Sequence, residues 1–324
     1  MIDFLRAIFG TWELRPLVLA VPLLFGALYL RGWLYFYRLE NARPPQRARR
    51  GGGRRSVRQA EVWRLACYGG GLALLIFALT SGLDAYAALL LFVHMIQHEI
   101  LLMFVPALLW LGNPFPFVVW GLPRPLRLRT AALFAQPSPF RALLARIGAP
   151  AASLLILIVV TWVWHDSKLY NLTLENRLVH DLEHLMFFAA GMLFWWHVVG
   201  AAPHLRAPMS YLRRGLYLVV AIPPTVALGA SIAFAPEPLY SYYTTVPRMW
   251  GLSALDDQMY AGVIMWESIM NYIVAILTVV ALHLRGEEQQ PPQPASIWEQ
   301  AGGESAQMAP GLESRSESGM VANG

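Results

Sequence analysis

The sequence is short of charge, cysteine and lysine, and each shortage excludes a class of protein. Only 14% of its 324 residues are charged, against about 25% in a typical soluble domain. A chain of this length would suggest roughly two soluble domains, but 56% of it is hydrophobic, so it lacks the polar surface to coat them. Cys67 is the only cysteine, which excludes a disulfide and a thiol pair for metal or redox work. Lys168 is the only lysine, so the positive charge is almost all arginine. No internal repeat is visible, which removes inverted-repeat transporter logic. The first apolar run lacks a preceding positive excess and a small-residue cleavage site, so a removable signal peptide is not expected.

What is abundant is apolar length. Charge-free stretches run from Leu65 to Leu83, Ile100 to Pro123, Ile147 to His165, His184 to Leu205 and Gly215 to Pro236. Two more, Pro16 to Tyr37 and Gln258 to Leu284, are each broken by one charge, Arg31 and Glu267. A helix needs about 20 apolar residues to cross the hydrocarbon core. The expectation is an all-α, polytopic membrane protein: seven transmembrane helices at about 16–37, 63–83, 86–111, 148–165, 178–200, 215–235 and 258–283.

The arginines orient that bundle. Nine lie between Arg38 and Arg64, five between Gly112 and Ala149, and three between Gly200 and Arg214. The alternate connections hold two or fewer each. This pattern predicts an outside N-terminus and a cytosolic C-terminus. The net charge of +5 is then a topology signal, and nucleic-acid binding is not expected. The basic segment 38–64 reads as a flexible cytosolic loop touching anionic lipid, and residues 285–324, rich in Glu, Gln, Pro, Gly and Ser, read as a disordered cytosolic tail. The prolines of the 112–150 connection (114, 116, 123, 125, 137, 139, 150) oppose regular helix there.

Eight histidines in such a chain require a reason. His94 and His98 in the third span, and His180 and His184 in the fifth, both read H-x-x-x-H. Residues four apart share a helix face, and chance placement gives only roughly 0.2 such pairs by simple counting. Neither pair is H-E-x-x-H, so the zinc-protease general base is missing, and no enzymatic role is expected. Topology adds that His94, His98, His165, His180 and His184 all fall in the outer half of the bundle. His197, His204 and His283 lie toward the cytosol. Imidazole suits copper, zinc, iron and nickel, while thioether suits Cu(I); Met95 and Met259 lie close enough in sequence to bias the choice toward copper. On the seventh helix Asp256, Tyr260, Glu267 and Asn271 form a polar stripe, and an intramembrane carboxylate reads as functional by default. Candidate metal ligands are therefore His94, His98, His165, His180 and His184. Met95, Gln97, Glu183, Asp256, Asp257, Gln258, Met259 and Glu267 are candidate supporting groups. Trp162, Trp164, Trp195, Trp196, Trp250 and Trp266 read as interfacial anchors.

Four runs carry a family resemblance: HMIQHEILLMFVPALLWLGNP (94–114), WHDSKLY (164–170), HDLEHLMFFAAGMLFWW (180–196) and LSALDDQMYAGVIMW (252–266). In order and spacing, over about residues 65–283, the chain resembles the bacterial cytochrome c oxidase assembly factors of the CtaG type. The resemblance implies a seven-span plasma-membrane protein needed to form an active haem-copper oxidase, working with oxidase subunits and other copper chaperones to deliver copper. The positions that match are His94, Gln97, His98, His165, His180, His184, Asp257 and Gln258. Two alternatives stay open: a b-type haem protein with bis-histidine ligation from the third and fifth spans, and a scaffold or transporter without metal.

Overall fold

The computed structural model describes residues 6, 8–42, 61–135 and 138–284. The expected tail, 285–324, and positions 43–60 of the basic segment lie outside the described residues. Among those described, the regular secondary structure is all helical apart from one isolated antiparallel bridge, Trp12 to Ser81. Six helical stretches are long and apolar enough to cross a membrane: α1 (Pro16–Asn41), α2 (Val62–Thr80), the third span (Leu91–Leu111), α11 (Arg177–Val199), α12 (Tyr211–Ala233) and α14 (Ala254–Leu284). A seventh forms only if α8 (Pro139–Ile147) and α9 (Pro150–Trp164), bent by 60°, are taken as one span. The protein is a multi-pass membrane protein.

Two expectations about the spans need correction. The third does not start near position 86: α3 (Gly82–Ala87) is a separate short helix, and the span begins at Leu91. The Asp257 carboxylate accepts hydrogen bonds from the Leu91 and Phe92 amides at 3.0 Å each, satisfying first-turn donors that a new helix leaves free. The fourth span is 15 residues of α9, about 22 Å long at 1.5 Å per residue. That is short of the hydrocarbon thickness, and α8, bent by 60° from it, does not continue its line.

The proline-rich connection is also more regular than its composition suggests. It contains α6 (Pro114–Gly121), α7 (Arg124–Phe134) and α8, each with a proline in its first two positions. A proline there costs nothing, because first-turn amides have no helical acceptor anyway. The prolines start helices instead of preventing them. Pro106 acts differently: it cannot donate to the carbonyl of Leu102, and the third span accommodates it with a π-helical turn, Ile100–Phe104, between α4 (Leu91–Glu99) and α5 (Val105–Leu111).

Close backbone approach fixes how the spans face one another. A Cβ on Gly191 of α11 would sit 2.4 Å from the Leu102 carbonyl oxygen, so glycine lets the fifth span pack directly on the π turn of the third. A Cβ on Gly262 of α14 would sit 2.6 Å from the Gly229 oxygen of α12 and 2.4 Å from the Ala233 nitrogen. Small residues at such crossings are how membrane helices gain packing without a hydrophobic driving force. The second crossing sets the rotation of α14, burying Asp257, Gln258, Ala261, Gly262, Met265, Ser268 and Tyr272.

That rotation overturns the polar-stripe expectation. Asp256, Met259, Tyr260 and Glu267 are exposed, on the side of α14 away from the bundle. Trp164, Trp195 and Trp196 are buried and not interfacial, whereas Trp162, Trp250 and Trp266 are exposed.

Candidate metal centre

The histidines meet where the third span, α9 and α11 come together, at the end of the bundle that also carries α3, α10 (Ser167–Glu175), α13 (Tyr242–Thr245) and the start of α14. Local capping puts them there. Asp166 accepts from the amides of Lys168 and Leu169 to start α10, and Asn176 accepts from Leu178 and Val179 to start α11. These two side-chain caps turn the chain back within a few residues of His165, so that His180 and His184 re-enter the bundle opposite His94 and His98.

The convergence is tight. One ligand atom from each of His94, His180, Glu183 and His184 lies within 4.8 Å of all the others. Ring centroids are 5.1 Å apart for His94 and His180, 5.7 Å for His94 and His184, and 4.1 Å for His180 and His184. His98 borders the group, its ring 4.2 Å from His94 and 5.5 Å from His184. Glu183 sits between the third-span pair, with its two carboxylate oxygens 3.7 Å from Nε2 of His94 and of His98 respectively. His94 and Glu183 are fully buried, His98 and His184 nearly so, and His180 is half-buried. His180 is thus the member through which the site meets the surface.

Within the protein, Nε2 of His94 and both ring nitrogens of His98 and His184 have no hydrogen-bond partner, nor do the Glu183 oxygens beyond a long approach from Thr173: seven buried polar atoms in one place. Leaving one buried polar group unsatisfied costs about 1–3 kcal/mol, so seven in one place is a cost that ordinary packing would not carry. A cation answers it, because imidazole nitrogen and carboxylate oxygen are the donors that copper, zinc and iron take. The donor set therefore fits a metal, which His94, His180, His184 and Glu183 would hold, with His98 adjacent.

Surrounding groups orient the donors. The hydroxyl of Tyr170 lies 2.6 Å from Nδ1 of His94, and the Tyr243 hydroxyl, donating to the Ala87 carbonyl, lies 3.5 Å from the same atom. Burial pushes the phenols of Tyr170 and Tyr243 well above their usual range. Tyr170 serves here as a hydrogen-bond partner of His94. With Nδ1 of His94 engaged, Nε2 is the nitrogen that faces Glu183, the arrangement by which a partner on one ring nitrogen aims the other at a metal.

The remaining candidates fall around this core or away from it. His165 hydrogen-bonds through Nδ1 to the Thr161 carbonyl at 2.6 Å and places Nε2 3.4 Å from the Met95 sulfur. Its ring is 5.8 Å from that of His98, so His165 and Met95 form an adjoining pair instead of joining the four. Gln97 points away, donating to the Ala78 carbonyl and to Asp84. Asp257 pairs with Arg248 at 2.9 Å besides capping α4. Gln258 accepts from the Leu239 amide and donates to the Glu237 carbonyl. Both are buried, but both hold loops. Asp256, Met259 and Glu267 face outward, as described, because the Gly229–Gly262 crossing turns the other face of α14 inward.

Sequence reasoning ranks Glu183 as a supporting group; in the structure it also offers a ligand atom to the cluster. It missed Tyr170 and Tyr243, which carry no spacing signal. It also missed the strap before α1, where Arg15 bonds Asp181 at 2.6 Å and Asp84 at 3.0 Å and Glu13 pairs with Arg177 at 2.6 Å. This strap ties α1, α3 and α11 together on the surface side of the site. As for a bis-histidine haem, the facing rings are already in mutual contact, and the cavity beside His98 and His165 is only ≈ 20 Å³.

The chain is 24% identical over 283 residues to the uncharacterized protein ML1998 of Mycobacterium leprae, covering 85% of this chain and 39% of that protein. It is 27% identical over 230 residues to the uncharacterized protein Mb0105 of Mycobacterium bovis, covering 68% of this chain and 33% of that one. The chain thus spans about two fifths or less of the length of these relatives. No solved structure matches it. The profile of the cytochrome c oxidase caa3 assembly factors matches residues 33–286, a range that takes in every histidine of the site, and the chain belongs to that Caa3_CtaG family.

Proposed function

We propose that this protein is a non-catalytic assembly factor for a haem-copper cytochrome c oxidase and handles copper through the buried histidine–glutamate site. The observation that carries the reading is the convergence of His94, His180, Glu183 and His184 from two spans onto one point, within 4.8 Å. Copper is preferred because imidazole binds it in both oxidation states and the Met95–His165 pair offers a soft position beside it. The arginine distribution supports a site in the outer half of a bacterial plasma membrane, with the N-terminus outside and the C-terminus cytosolic. His180, half-buried, is where an ion is received from or passed to a partner, with oxidase subunits and other copper chaperones as the partners.

Glu183 favours a second reading. Carboxylate is a harder donor than thioether, and three imidazoles with one carboxylate equally suit zinc or ferrous iron. One experiment separates the two: elemental quantification of the detergent-purified full chain, as wild type, His184→Ala and Glu183→Gln. Copper in the wild type and background in His184→Ala supports the first reading; zinc or iron with the same dependence supports the second; no metal above the His184→Ala background sinks both. Oxidase activity after gene deletion, restored by the wild type and not by His184→Ala, tests the assembly role separately.

A further inference from the structure

At the opposite end of the bundle a second, larger cavity lies between the start of α9, the end of α11 and the 200–213 loop. Its volume is ≈ 420 Å³, and its lining includes Trp196, His197, His204, Arg206 and Arg213. Residues 100–165 and 184–236 contain no aspartate or glutamate, so none of the lining segments supplies a counter-ion. Arg206 is anchored by Nε to the Ala145 carbonyl at 2.7 Å, which leaves its two terminal nitrogens to other partners. Gly148 and Pro150, at the start of α9, also line the space, and Ala149 provides no side-chain cap. The first-turn amides and the positive end of that 15-residue helix therefore add to the arginines.

The surroundings say which anion fits. Leu155 on α9 is 61% exposed, and Leu212 and Leu216 on α12 are 75% and 63% exposed; all three lie within two turns of the cavity's rim residues in sequence. α8, bent by 60° from α9, exposes Phe140, Leu143 and Ile147 between its arginines, the pattern of a helix lying in the headgroup region. A free phosphate would use only the cavity. An amphiphile uses both surfaces, and basic pockets between membrane helices are suited to phospholipid head groups.

We propose that this cavity binds the phosphate of an anionic phospholipid through Arg206 and Arg213, with the acyl chains lying across Leu155, Leu212 and Leu216. The test is native mass spectrometry of the purified full chain titrated with phosphatidylglycerol or phosphatidylcholine. Phosphatidylglycerol should be retained preferentially, and Arg206→Gln/Arg213→Gln should weaken retention by about tenfold or more. Ala207→Trp, at an exposed position of the lining, fills the cavity without touching its charge and should weaken retention similarly. Arg129→Gln, an exposed arginine of α7 outside the lining, should leave it unchanged. Retention in the double variant equal to wild type overturns the proposal, as does an equal loss in Arg129→Gln, which would mean diffuse attraction to the basic surface. Displacement of the lipid by millimolar inorganic phosphate would also overturn it, in favour of a free-phosphate site.

Discussion

The two ends of the bundle are polar in opposite ways. At the histidine end, donors are buried, close together and short of partners: four ligand atoms lie within 4.8 Å, and seven polar atoms lack a close hydrogen-bond partner within the protein. At the arginine end, charges stay near the surface and are tied to backbone carbonyls. Arg214 caps α11 through Val198 and Val199, and the exposed Arg206 donates to the Ala145 carbonyl. Burying a polar group without a partner is costly, whereas a long arginine can bury its stem and keep its head solvated. The difference teaches that the histidines are held in place against a cost, and the arginines are placed at almost none. Function is therefore to be sought first where the cost is concentrated.

The sharpest break of that contrast is ligand removal. His94→Ala/His184→Ala should reduce metal to background, a loss beyond the about 10–100-fold that removing a supporting hydrogen bond costs, while helicity by circular dichroism stays intact. Binding should also fall with acidification, because each imidazole must be unprotonated to bind and protons compete for the same nitrogen; equilibrium dialysis at stepwise lower pH would show release, and binding that strengthens in acid would contradict the site. Next, Gly191→Leu should separate the third span from α11, since a Cβ there already meets the Leu102 oxygen at 2.4 Å. It should lower the melting temperature, with overpacking costing about 1–3 kcal/mol, and reduce metal content as well. Asp257→Ala should cost about 1–2 kcal/mol, chiefly because it uncaps α4, since Arg248 keeps its backbone acceptors at Tyr243, Leu252 and Ser253; a thermal melt checks it.

Smaller effects sharpen the comparison. Tyr170→Phe keeps the ring but removes the partner of His94 Nδ1, and should weaken metal affinity by about tenfold with little change in melting. Glu267→Gln, Met259→Leu and Asp256→Asn should each leave metal content unchanged, because all three side chains face away from the bundle. A loss in any of them would return α14's outer stripe to the site.

Much of this was legible in the chain. Low charge and apolar runs predicted an all-helical membrane protein, and the two H-x-x-x-H spacings singled out His94, His98, His180 and His184 because four residues make one helical turn. The same spacing argument groups Asp256 and Glu267, but on a 31-residue helix spacing does not say which face turns inward, and the structure leaves them and Met259 exposed. Tyr170 and Tyr243 lay on short elements whose position depends on loops. The prolines of the 112–150 connection were misread because proline both breaks a helix from within and starts one from its first turn, and only the register distinguishes the two.

The sequence by itself determined the solvent, the helical class, and the separation of histidine from arginine along the chain, because these follow from local composition and from the cost of burying charge in lipid. Only the tertiary structure decided which donors meet. Glycine crossings at Gly191 and Gly262 set the rotation of α11 and α14, and rotation of a helix by a fraction of a turn exchanges a metal ligand for a lipid-facing side chain.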